Sequence, residues 1–224
     1  MPQRGFSLIE IIVVMAILGV LTAIGIPNVV TMINSNRSKS AAESVASGLR
    51  LARAEAIGRN APMRFQLVNA PLSATCTYST SSPYWVVTQT NQGSGGYDYG
   101  LLTAGGCNSA PAIPPNGVTA ANCTSGTCGG LPFIAQRSPG NAFPKITVTA
   151  NNPIVTFGPL GQVLNNLRED GTHSLFTPNN ALTSVDFTVP SDAAAKAWRV
   201  RVNGTTGSIK FCDAALSATA DLGC

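Results

Sequence analysis

The chain has 224 residues, 11% of them charged and 44% hydrophobic, with a net charge of +4. Average soluble proteins carry about 25% charged residues. One long apolar helix explains part of the deficit, and a remainder rich in Ser, Thr, Asn, Gly and Pro explains the rest. So mild a positive balance excludes a nucleic-acid role argued from bulk charge alone. The length leaves room for one rod and one head of about 160 residues, rather than several domains.

Elements follow in chain order. A basic, polar leader ends at Arg4-Gly5; Phe6 follows, then Glu10, and no further charge appears until Arg37. Ile11 to Ile33 is uncharged and long enough to cross a bilayer, for which about 20 apolar residues suffice. A secretory signal has its cleavage site after the apolar run. Here the processing point precedes it, so a cut after Gly5 keeps the helix and leaves 219 residues (224 less 5) with a net charge of +3 (+4 less Arg4). Arg4 predicts a cytoplasmic N-terminus. An ionisable group such as Glu10 at the edge of an apolar span is functional by default, and its natural partner is the α-amine that cleavage exposes. Two unit charges about 4 Å apart attract by about 4 kcal/mol at an effective dielectric near 20, although desolvation takes much of that back.

Gly5, Phe6 and Glu10 ahead of an apolar helix resemble the class III signal of type IV pilins and of the pseudopilins of type II secretion. That resemblance implies cleavage between Gly5 and Phe6, N-methylation of Phe6, and a role for Glu10 in subunit assembly. Pro27 falls where such pilins carry a proline; it removes a backbone hydrogen bond and predicts a kink or local melting, with Gly19 and Gly25 nearby.

Residues 38–59 read as a second helical half. Ala41, Val45, Leu49, Ala52 and Ala56 form an apolar stripe, and Lys39–Glu43 and Glu55–Arg59 are favourable i,i+4 pairs. The stripe is mostly alanine, which predicts close packing of the head on it. Asn60-Ala61-Pro62 ends the helix. From Phe6 to Arg59 the rod would be about 80 Å long. Six basic residues between Arg37 and Arg64 read as a solvated helix face rather than a nucleic-acid stripe. Residues 49–65, LRLARAEAIGRNAPMRF, resemble the pseudopilin H and FimT/FimU group of minor pilins.

Beyond Pro62 the hydrophobic period becomes two. Strands are predicted at Met63 to Val68, Tyr84 to Thr88, Lys145 to Ala150, Ile154 to Phe157, Gly161 to Leu164, Ser184 to Val189, Trp198 to Val202 and Ser208 to Cys212. Gly158-Pro159-Leu160-Gly161 and Asn203-Gly204-Thr205-Thr206-Gly207 are turn chemistry, hence hairpins. FGPLGQV (157–163) and WRVRVNGTTGSIKF (198–211) again resemble the hairpins of that minor-pilin group. Residues 69–143 are loop-rich, and so long a connection hides short strands or forms a disulfide-tied loop.

The fold class expected is α+β: a long N-terminal α-helix, transmembrane then amphipathic, packed against an antiparallel β-sheet or β-sandwich head. The expected divisions are 1–5 as leader, 6–33 as membrane and assembly half, 34–62 as periplasmic half, and 63–224 as head with the insertion 69–143.

Cysteines 76, 107, 123, 128, 212 and 224 are even in number, and in an exported head they read as disulfides. The pairs inferred from proximity are Cys212–Cys224, Cys123–Cys128 and Cys76–Cys107. Cys123-x4-Cys128 also has the spacing of half a zinc site, but no histidine lies near it. His173 is the single histidine, and no Gly-x-Ser-x-Gly elbow accompanies it. Glu169 and Asp170 lack an EF-hand pattern. No enzyme, cofactor or metal is expected.

Three functions follow from the resemblance. The first is a minor pilin that initiates or caps a type IV pilus. Its partners would be other minor pilins and the major pilin through the N-terminal helix, together with the prepilin peptidase, the inner-membrane assembly platform and the inner membrane itself. The second is a minor pseudopilin of type II secretion. The third is a DNA-binding subunit for natural transformation, since some FimT-like proteins bind DNA through a Gly-Arg-x-Arg stretch in the last hairpin. The matching positions here are Gly207-Ser208-Ile209-Lys210, which lack the first arginine. Arg199, Arg201 and Lys210 would form a small basic patch in its place.

Overall fold

A computed structural model describes residues 7–69, 77–89, 91–93, 96–98, 134–140, 143, 145–164 and 181–216. One helix, α1 (Leu8–Arg59), supports the head. Strands β1 (Met63–Val68), β2 (Tyr84–Gln89), β3 (Asn91–Gly93), β4 (Gly96–Asp98), β5 (Ile134–Arg137) and β6 (Thr147–Ala150) come next. They are followed by β7 (Ile154–Phe157), β8 (Val163–Leu164), β9 (Ser184–Thr188), β10 (Trp198–Val202) and β11 (Ile209–Asp213). One sheet has the order β5-β2-β1-β7-β8 and a second has β11-β10-β9-β6, with β3-β4 a separate hairpin. Neighbours in the two main sheets run antiparallel. The architecture is α+β, with the antiparallel head split into two sheets that share one helix.

The alanine stripe explains the sharing. Ala41, Val45, Leu49, Ala52 and Ala56 are fully buried, and Ala42 and Ala46 widen the face. Small side chains let both sheets approach one cylinder. The first sheet sends in Met63, Phe65, Leu67, Trp85, Val87, Val155 and Phe157; the second sends Val148, Val185, Phe187, Val200 and Val202. At Gly48 an added Cβ would stand 2.7 Å from the Trp85 ring and 2.9 Å from that of Phe65. Those two rings stack at 5.9 Å, and the indole N–H of Trp85 donates to Ser44 Oγ at 3.0 Å. Asn60 stops the helix in the left-handed region (φ 50°), with its N–H returned to the last turn, a common C-terminal device.

Two features depart from expectation, and the short strands in the insertion realise one of the two alternatives expected there. Helix α1 is continuous from Leu8 to Arg59, so of the kink or local melting expected at Pro27, melting is absent. Strands β3, β4 and β5 lie inside the 69–143 insertion, where short strands are hidden; β5 extends the first sheet beside β2 with a register shift between Val87 and Thr88. Arg64, grouped with the solvated basic residues, is 1% exposed and donates from Nε to Thr156 Oγ1 at 3.3 Å. It faces away from α1, because alternation puts Met63 and Phe65 on the helix side.

Candidate functional site

The feature that calls for a function is the free half of α1. From Leu8 to Ile33 its large apolar side chains are 46–77% exposed all round the cylinder, over about 39 Å at 1.5 Å per residue. A helix apolar on every side needs an apolar surrounding. Ser7 caps the start in extended geometry (φ −75°, ψ 144°), and Glu10 is the acidic residue of the first turn, where the helix dipole favours negative charge. Gly5 and Phe6 lie outside the described residues.

Below Ile33 the head takes hold of the rod. Asn34 Nδ2 donates to Asp192 Oδ2 at 3.0 Å, and Ser38 Oγ donates to the Lys196 carbonyl at 2.7 Å. Ser35 Oγ accepts the Lys196 N–H at 3.0 Å. Asn34 is 8% exposed and Ser38 fully buried. The hydrogen bond from Asn34 holds the Asp192 carboxyl below the usual aspartate range, with Thr31 and the Ala194 and Ala195 N–H groups helping against partial burial. Sequence reading missed this latch, although its signal was present: Asn34 and Ser38 extend the Ala41 stripe upstream at the same spacing.

At the other end of the stripe, Arg53 donates from Nε to the Gly161 carbonyl at 2.9 Å and from Nη2 to the Thr206 carbonyl at 3.4 Å. One side chain therefore grips the β7–β8 hairpin of one sheet and the β10–β11 hairpin of the other. Gly207 (φ 66°) closes the same joint, and a Cβ there would run into the Gly161 carbonyl.

The proposed basic patch is altered by its surroundings. Arg199 lies opposite Asp186 and is paired with it through both nitrogens, Nε to Oδ1 and Nη2 to Oδ2, the latter at 3.0 Å. That hydrogen bonding raises the Arg199 pKa over the opposing effect of burial. Arg201 and Lys210 sit opposite one another across β10 and β11, both exposed. The patch thus comprises two outward cations, with the third neutralised.

Cys212 is disulfide-bonded and 1% exposed. Cys76, Cys107, Cys123, Cys128 and Cys224 lie outside the described residues, as do Glu169, Asp170 and His173. Among the described residues there is no group of three or more His, Cys, Asp or Glu side chains placed to hold a metal.

The model for the family described as type II transport protein GspH matches residues 41–207. The chain belongs to the GspH family. The model for the prokaryotic N-terminal methylation motif matches residues 1–26, so the family head is joined to that motif, Glu10 and most of the exposed rod. GspH-type chains are structural, pilin-like subunits anchored by an apolar N-terminal helix, and they associate with other pilins in a pilus or pseudopilus. A comparison with curated protein sequences returned no match. Among solved structures, the Pseudomonas aeruginosa (strain PAO1) type IV minor pilin FimU is similar at 13% identity, covering 77% of this chain and 90% of that one, with a TM-score of 0.37.

Proposed function

We propose that this GspH-family chain is a minor pilin that helps to initiate or cap a type IV pilus. It would enter the inner membrane through residues 6–33 with its N-terminus cytoplasmic and its disulfide-stabilised head in the periplasm. Prepilin peptidase would cut between Gly5 and Phe6 and methylate Phe6, and the assembly platform would then draw the rod in among like rods. The observation that carries this reading is a rod exposed on every side, with Glu10 as its single charged group before Arg37. Burial among other rods removes that apolar surface from water at about 25 cal/mol per Å². Glu10 would then pair with an α-amine and set the register.

The test is Glu10→Ala in the native host. Its expected outcome is unchanged membrane levels of the variant with a strong loss from sheared filaments; normal incorporation would refute the assembly role. Cys212–Cys224, Cys123–Cys128 and Cys76–Cys107 remain the proposed pairs, testable by peptide mapping without reduction.

The description of the matching family names the second reading, a pseudopilus subunit of type II secretion. A deletion strain separates the two. Loss of surface filaments with normal secretion supports the pilus, and the reverse supports the secretion system. DNA binding is disfavoured by the Arg199–Asp186 pair, because phosphate contacts scale with free cations. Full-length protein in micelles is expected to give no gel retardation of duplex DNA at low salt.

A further inference from the structure

The end of the head nearest the rod carries a set of charges that neither assembly nor cleavage uses. Along α1, about 20 residues cross the roughly 30 Å hydrocarbon layer. Counted from Ile11, that reaches the neighbourhood of Val30, and the next turn or two runs through the headgroups. Asn34, Arg37 and Lys39 stand at this level. The loop from Val189 to Lys196 is fixed there as well, by Asn34–Asp192 and by Ser38–Lys196.

The cations at this level are exposed. Arg37 is exposed, and the side chains of Lys39 and Lys196 are 47% and 46% exposed. The carboxylates at this level are engaged, Asp192 while half-buried and Asp213 while buried. Asp192 accepts from Asn34 and from the Ala194 N–H, and Asp213, 4% exposed, is held by Lys196 Nζ at 2.8 Å. Glu43, the exposed exception, lies one turn farther from the rod and 3.7 Å from Lys39. Both ammonium groups lie against the half-buried Trp198, with Lys196 Nζ 4.8 Å and Lys39 Nζ 5.9 Å from its ring centroid. Lysines that lay their stems along an aromatic ring and keep their charge in water suit a membrane–water interface.

We propose that this collar of Arg37, Lys39, Lys196 and Trp198 is a lipid-headgroup surface, on which the head rests against the phosphates of the bilayer that holds the rod before assembly. The inference rests on the membrane reading above and adds to it a fixed seating of the head. Arg37 meets phosphate oxygens directly, and Lys39 and Lys196, each already beside a carboxylate, offer them the ammonium N–H groups left over. Asp213, buried behind Lys196, stays out of the contact, and the latch stops the head from tilting away from the rod.

Lysine acetylation of the full-length protein tests this, read residue by residue by mass spectrometry. The protein is compared in detergent micelles, in phosphatidylcholine vesicles and in phosphatidylcholine–phosphatidylglycerol vesicles. Lys210 serves as internal reference, since it lies on β11 toward the Gly207 joint. Lys39 and Lys196 are expected to react several-fold more slowly in the anionic vesicles than in micelles or neutral vesicles, with protection falling at high salt and Lys210 unchanged. Arg37→Gln is expected to weaken protection of Lys196 without altering Lys210. Protein that floats with the vesicles yet shows unchanged Lys39 and Lys196 labelling overturns the seating and leaves the membrane reading intact. Failure to float overturns both.

Discussion

Gly48 and Gly207 are positions at which one added methyl group meets rigid neighbours. In Gly48→Ala the new carbon would press on the Trp85 and Phe65 rings. Overpacking of this kind costs about 1–3 kcal/mol, against about 1 kcal/mol gained in helix propensity. The variant is expected to melt at lower temperature than the parent in thermal unfolding followed by circular dichroism. Asp192 and Asp213 contribute to the acid response. Asp192 is lowered mainly by the hydrogen bond from Asn34. Burial pushes Asp213 up, but Lys196 and the Ala215 N–H together outweigh it, so that it too ends below the ordinary value. A carboxylate depressed in the folded state adds stability above its unfolded pKa of about 3.9, and that stability is lost as pH falls through the lower folded value. Denaturant midpoints are therefore expected to stay level from neutrality to about pH 5, with respect to these two groups, and to drop below about pH 4. Asn34→Ala is expected to flatten part of that fall.

At the scale of elements, the helical stripe and most strands were legible because their periods are local properties of the chain. Leu49 was placed on the buried face by spacing alone, and it is fully buried. Leu49→Ala is expected to destabilise the head by about 2–5 kcal/mol, measured by urea unfolding. The Gly158–Gly161 and Asn203–Gly207 turns were readable too, and both lie between paired strands. Strand β5 was not legible, since Ile134–Arg137 is short and acquires its state from pairing with β2. Arg53 shows the same limit: as sequence it is one more basic residue on a helix, and only the fold brings the two hairpin carbonyls to it. Arg53→Ala is expected to speed amide hydrogen exchange around Gly161 and Gly207 while leaving β1 protected; uniform acceleration would show that the residue instead stabilises the whole head.

For the whole molecule, division into a bare rod and a gripped rod is the main result. Everything from Asn34 onward on the buried face of α1 is engaged by the head, and the apolar side chains before it remain exposed. The chain alone determined the apolar span, the lone Glu10 and the alanine stripe, because composition and short-range spacing set membrane affinity and amphipathicity. Tertiary structure decided that two sheets share one helix, that Arg64 is buried, and that Arg199 is neutralised by Asp186. It also decided that the polar latch begins where the apolar rod ends. Those outcomes depend on which residues, far apart in the chain, come within hydrogen-bonding distance, and no local period encodes that.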